Sequence, residues 1–205
     1  MIFLSVHHDE PLSSVLQSVL DVRKSGHISV GELMSRVAER GFGLLLVVLA
    51  LPTLFPILPP GSAATIGFLY ILIGFQMLVG RPYPWLPQRV KNYKLSEKTT
   101  LKLRERGVAF FKTLERFSRS RWFFVEGKIM LRVVAITIII MGFILFTPLP
   151  FMNTLPAFAV MLLGTGLLNR DGIFLLAGLL LSFGLLGFIY FGLGALLSSL
   201  HIFGS

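Results

Sequence analysis

Leu51-Pro-Thr-Leu-Phe-Pro-Ile-Leu-Pro-Pro-Gly61 follows one apolar stretch of this chain and leads into another. Thr147-Pro-Leu-Pro-Phe-Met-Asn-Thr-Leu-Pro156 does the same about 90 residues later. Each is succeeded by a glycine-containing apolar span that closes on an arginine, Gly80-Arg81 in one half and Asn169-Arg170 in the other. Matching Pro59 to Pro150 brings Arg81 opposite Arg170 with a two-residue gap. The pattern reads as a duplicated unit of helix, proline break, helix and arginine turn. Proline inside a membrane helix removes a hydrogen bond and frees a carbonyl that lipid cannot satisfy, so such a break is tolerated where protein or water covers it. Paired interrupted helices in two halves of a transporter point to a binding site near the bilayer midplane. The same prolines also suit short turns at the outer surface of two hairpins, and both readings stand at this point.

Working outward, the breaks sit among five apolar stretches at about 42–58, 62–80, 129–147, 151–168 and 172–200. A helix needs about 20 residues to span the hydrocarbon core. The second, third and fifth meet that length; the first and fourth are short and contain prolines, and are candidates for re-entrant helices. Overall 54% of the 205 residues are hydrophobic and 14% are charged, against about 25% charged in an ordinary soluble domain. A chain of this size cannot hide so much apolar surface from water. The expected fold is therefore all-α: a polytopic helical membrane protein with duplicated proline-broken hairpins that either span or re-enter. Its parts are a cytoplasmic helical preface (1–40), a first membrane hairpin (41–81), a basic cytoplasmic loop with an amphipathic helix (82–128), and a second hairpin with a long C-terminal helix (129–205). In the preface, Leu12, Val15, Leu16, Val19 and Leu20 recur at helical spacing, and Ser29 with Glu32 has capping-box spacing. The first ten residues lack a basic n-region, so a cleaved signal peptide is not expected.

Residues 81–132 carry 14 of the 19 Lys and Arg but four of the ten Asp and Glu. Such loops stay on the cytoplasmic side, which sets this segment and the N-terminus inside. Leu103, Phe110, Leu114 and Phe117 share one helical face there, with Lys112 and Arg116 among the charges around it. A basic amphipathic helix of this kind lies along anionic lipid. Nucleic-acid binding is the rival reading of the +9 net charge, but the position of the charge beside membrane spans already accounts for it, so no nucleic acid is expected. Pro82, Pro84, Trp85 and Pro87 read as a rigid interfacial turn.

Groups able to carry chemistry are few. There is no cysteine, which excludes disulfides, thiolate metal sites and a cysteine nucleophile. His7, His8, His27 and His201 are scattered, and no serine–histidine–acid triad or nucleotide fingerprint appears. No catalytic residue, metal or cofactor is therefore assigned, and the chain is not read as an enzyme. No acidic residue falls in the apolar stretches before Asp171. Hydroxyls such as Thr53, Thr137, Thr165 and Ser182 are expected to bond back to their own helices, and Gly61-Ser-Ala-Ala-Thr and Gly164-x-Gly166 to serve as packing faces. The candidate substrate-contacting positions are Pro59, Pro60, Gly61 and Gln76 in the first half and Pro150, Asn153 and Pro156 in the second. Gln76 and Asn153 stand out because an amide in hydrocarbon needs a partner. Arg81 and Arg170 are candidates for holding an anion, although positive-inside topology explains them equally.

The residues also resemble a known family. Glu39-Arg-Gly-Phe-Gly43, Leu49-Ala-Leu-Pro52, Pro59-Pro-Gly61, Gln76, Gly80-Arg81 and Pro84-Trp-Leu-Pro87 in the first half are similar to the ExoD exopolysaccharide-synthesis family. Pro148-Leu-Pro150, Asn153, Pro156 and Arg170-Asp-Gly172 continue the likeness, which covers the chain from about Ser29 onward. It implies a bacterial inner-membrane protein linked to exopolysaccharide production, with no catalytic residues to carry over. The layout is more distantly similar to DedA-type lipid-carrier transporters, whose membrane-embedded acidic and arginine signatures this chain lacks. The leading expectation is a membrane protein that binds or moves an anionic or lipid-linked molecule, a polysaccharide or its lipid-linked precursor. The alternative is a scaffold whose basic face docks an acidic partner or anionic lipid. Small-residue positions allow a homodimer.

Overall fold

The computed structural model describes residues 40–54, 61–92, 108–117, 127–147 and 153–203, together with Ser13, Ser14, Gln17 and Ser29. Among these it is all-α, in the order α1 (Gly41–Leu54), α2 (Ser62–Leu78), α3 (Gln88–Lys91), α4 (Val108–Phe117), α5 (Lys128–Phe146), α6 (Thr154–Asn169) and α7 (Gly172–Phe203). Each of the five apolar stretches contains one helix. Two of the helices are long and apolar enough to cross a membrane, α5 over 19 residues and α7 over the 21 residues Gly172–Gly192. The chain divides into two units, Met1–Gly41 with Pro82–Arg119, and Phe42–Arg81 with Ser120–Ser205.

Helix ends in the larger unit follow local chemistry. The α1 helix carries Pro52 inside it and runs two residues further, to Leu54. Gly61 precedes α2 at φ 88°, a left-handed conformation that glycine adopts without penalty. At the other end of α2, Gly80 takes φ 79° and the Arg81 amide donates to the Gln76 carbonyl over 3.1 Å. The end of α6 repeats this turn. Arg170 takes φ 54°, and the Asp171 amide donates to the Gly166 carbonyl over 2.9 Å. Both are six-to-one bonds of a Schellman cap. Asp171, buried, then caps α7 by accepting the Ile173 amide on Oδ1 at 2.9 Å.

The core is set by how closely the helices approach. A Cβ built on Gly67 would fall 2.6 Å from the Gly142 carbonyl, and one on Gly142 would fall 2.8 Å from the Gly67 carbonyl. The backbones of α2 and α5 therefore touch there, and the seam continues where Gly74 meets Ala135 and Ile139. Because Gly67 pairs with residues near the end of α5 and Gly74 with residues nearer its start, the two helices run antiparallel. The α1 helix makes an equivalent contact with α6: a Cβ on Gly43 would lie 2.7 Å from the Gly164 carbonyl, and one on Gly164 would meet Leu46 and Val47. Close contacts of Gly166 with Leu175 and of Gly178 with Leu163 zip α6 antiparallel onto α7. The first helix of each broken pair thus lies against the second helix of the other. Tyr70, Ile138, Met141, Leu145 and Leu163 fill the space between them, each with at most 1% exposure.

In the smaller unit, Val108 and Phe111 of α4 are buried and Phe110 is half-buried, packed edge-to-face on Phe111. The covered face is therefore centred one residue away from the Phe110–Leu114 line that the spacing suggests. Leu103 and the preface helices fall outside the described residues, except that Ser13, Ser14 and Gln17 are helical.

Candidate functional site

The seams give the larger unit two chemically distinct ends. Gly67 sits against the end of α5, so the start of α2 and the end of α5 lie together. Gly43, at the start of α1, meets Gly164 and Leu168 near the end of α6, so the end of α1 lies with the start of α6. Gly61, Asn153 and Pro156 gather there. Asn153 is half-buried at the start of α6 and accepts the Ala157 amide through its carbonyl at 3.3 Å, while its side chain makes no capping bond. Pro59, Pro60 and Pro150 lie outside the described residues.

Gln76 does not join them. Fifteen residues of helix separate it from Gly61, about 22 Å at 1.5 Å per residue, which sets it at the opposite end with Arg81 and Arg170. Gln76 is half-buried and partnered, and its own carbonyl closes the Arg81 turn. The two arginines also differ in register. Aligning the Schellman caps pairs Gly80 with Arg170 and Arg81 with Asp171, one residue away from the Arg81–Arg170 match made through the prolines. Arg81 is exposed, whereas Arg170 is half-buried and partnered. Among the described residues, no three His, Asp or Glu side chains assemble into a possible metal site.

Hydroxyls in the apolar helices turn inward on their own backbone, as expected. Thr137 donates to Val133, Thr165 to Met161 and Ser182 to Gly178, at 2.8–2.9 Å. Thr53, in the last turn of α1, donates to the Ala50 carbonyl at 2.7 Å. Tyr70 breaks the pattern. It has no solvent exposure, and its hydroxyl lies beside the Thr53 side chain rather than on its own backbone. Among the described residues, Asn169 Nδ2 is a buried side-chain nitrogen without a hydrogen bond.

Comparison with known proteins now adds to the geometry. The family description "Exopolysaccharide synthesis, ExoD" matches residues 12–191. The chain belongs to the ExoD family. Protein ExoD of Rhizobium meliloti (strain 1021) is 34% identical over 204 residues, covering 95% of this chain and 84% of that protein. An uncharacterized protein of Synechocystis sp. (strain ATCC 27184 / PCC 6803 / Kazusa) is 29% identical over 156 residues, covering 76% of this chain and 74% of its own. No solved structure matches. ExoD membership carries a role in exopolysaccharide synthesis. The ExoD match takes in α1 to α6 and ends at Phe191, within α7, so both proline breaks and both arginine turns belong to the family region. Sequence reasoning on this ExoD chain passed over Tyr70, because one tyrosine in an apolar helix looks like ordinary core. Its position two turns into α2, facing the end of a proline-containing helix, becomes visible only once α1 and α2 are packed.

Proposed function

We propose that this ExoD protein is a multi-pass protein of the bacterial inner membrane that binds or translocates an anionic or lipid-linked molecule during exopolysaccharide production. The observation that carries the reading is the crossed packing of α1 on α6 and α2 on α5, which sets the helix ends flanking both proline breaks at one end of the bundle and both arginine turns at the other. Outward-facing Phe68, Phe75, Phe143 and Phe183 are each more than half exposed. An apolar surface of that kind on three helices suits lipid rather than water. With the basic 81–132 segment inside, the end of the bundle that holds Gly61 and Asn153 faces the outer leaflet. Ser62 and Asn153 flank the outer contact, and Arg81 with Arg170 holds a phosphate or carboxylate at the inner face. Gln76 then serves the inner site rather than the breaks.

The absence of cysteine from the natural sequence makes the test direct. Single cysteines at Ser62 and Asn153, with Leu72 as a lipid-facing control, are labelled in intact cells by membrane-impermeant thiol reagent. Ser62 is preferred to Gly61 because cysteine is strained at φ 88°. Labelling at both positions that a lipid-linked oligosaccharide slows is the expected result. Fast labelling indifferent to that ligand makes both segments simple outer turns and ends the translocation reading. A scaffold role is then favoured by α4, which buries Val108 and Phe111 and leaves Lys112 and Arg116 exposed for an acidic partner or anionic lipid.

A further inference from the structure

The α2–α5 seam advances in steps of seven residues. Gly67 meets Gly142 and Phe146, and Gly74 meets Ala135 and Ile139. The next step ends at Arg81 on one side and at Lys128 and Arg132 on the other. Three exposed cations therefore gather at the arginine-turn end of the seam, and neither helix contains an Asp or Glu to offset them. Lys128 and Arg132 are four residues apart near the start of α5, where like charges repel and the positive end of the helix dipole adds to them. Such a cluster calls for an anion.

What lies beside the cluster identifies that anion. Phe68 and Phe75 follow Gly67 and Gly74 by one residue, about a quarter turn of helix. Ile136 and Phe143 follow Ala135 and Gly142 in the same way. Because the helices are antiparallel, both pairs fall on one side of the seam. They are 51%, 59%, 47% and 57% exposed, so they wall an open apolar track that leads away from the cations. From Arg132 to Phe143 the track advances eleven residues, about 16 Å at 1.5 Å per residue. That is about one leaflet of a hydrocarbon core about 30 Å thick. A free phosphate uses the cations and leaves the track empty; an anionic phospholipid matches both.

We propose that Arg81, Lys128 and Arg132 hold the phosphate of one inner-leaflet anionic phospholipid, whose acyl chains lie between the Phe68–Phe75 and Ile136–Phe143 walls. The site rests on the membrane reading above and goes beyond it, since it lies on the lipid-facing side of the α2–α5 pair and needs neither Arg170 nor the proline breaks.

Native mass spectrometry of the full-length protein in a neutral detergent tests it, with phosphatidylglycerol and phosphatidylcholine of identical acyl chains as probes. Phosphatidylglycerol is expected to give one preferred adduct. Lys128→Gln/Arg132→Gln is expected to weaken that adduct by roughly 30-fold, two basic residues at the contribution each makes beside anionic lipid. Arg89→Gln/Lys91→Gln removes the same charge from α3 and is expected to leave the adduct unchanged. Equal binding of the two lipids, or equal loss in the two double variants, overturns the proposal, because apolar contact or net charge alone then suffices. Displacement of phosphatidylglycerol by millimolar inorganic phosphate overturns it too, because the track then contributes nothing. Alkaline carbonate extraction of cell membranes reports separately on membrane integration. Release by carbonate refutes the membrane reading, whereas a retained protein that does not prefer phosphatidylglycerol refutes the lipid site alone.

Discussion

Replacing Gly142 by alanine should loosen the bundle, and the same exchange at Gly187 should not. A Cβ at Gly142 falls 2.8 Å from the Gly67 carbonyl oxygen and 3.1 Å from the Ile71 amide nitrogen, against the 3.4 Å at which ordinary contact begins. Both are backbone atoms, so the α2 and α5 helices must separate by roughly 0.6 Å or distort. Overpacking of this kind costs about 1–3 kcal/mol. At Gly187 a Cβ meets nothing within 4 Å, and alanine there gains up to about 1 kcal/mol of helix propensity. Comparing the two exchanges cancels the propensity term, because it is common to both. What remains is the collision, worth a difference in melting temperature of about 2–12 °C at the shift per kcal/mol typical of this chain length. Thermal melts of the two variants in one detergent, followed by size-exclusion chromatography, read it directly. The double variant Gly67→Ala/Gly142→Ala should cost less than the sum of the singles, since both press on one contact and the first already parts the helices. If Gly142→Ala and Gly187→Ala melt together, the α2–α5 seam is not in backbone contact and the crossed packing is wrong.

The other expectations concern the turns and the basic face. Asp171→Ala should lose the cap on α7 and lower stability by about 1 kcal/mol, while Asp171→Asn keeps it; equal melts for the two would deny the cap. Arg170→Gly should retain the fold, because glycine accepts φ 54° readily, yet reduce exopolysaccharide output in a complemented deletion strain. Output at the unmodified level would remove Arg170 from the anion site. Exchange of Lys112 and Arg116 for glutamine should weaken binding to vesicles containing anionic lipid, with a deficit that shrinks as salt rises. Binding that is insensitive to the exchange would mean α4 does not face lipid.

Much of this protein was legible before any packing was known. Composition pointed to an apolar helical protein, and the five apolar stretches coincide with α1, α2, α5, α6 and α7, because helix location in such a chain follows local hydrophobicity. The motifs from Glu39 through Gly172 carried the family as well. Hydroxyls such as Thr137 and Ser182 behaved as their chemistry dictates, since a lone hydroxyl in an apolar helix has its own backbone as the nearest acceptor. Tertiary structure decided what local pattern could not reach. It put Gly67 on Gly142 and Gly43 on Gly164, since backbone contact depends on which small residues face each other across separate helices. It parted Gln76 from Gly61 by a helix length, and it paired Arg81 with Asp171 through hydrogen-bond register where the prolines suggested Arg170. It also set the Tyr70 hydroxyl against Thr53. The neighbours of a buried hydroxyl are drawn from distant parts of the chain, and no residue carries them in its own name.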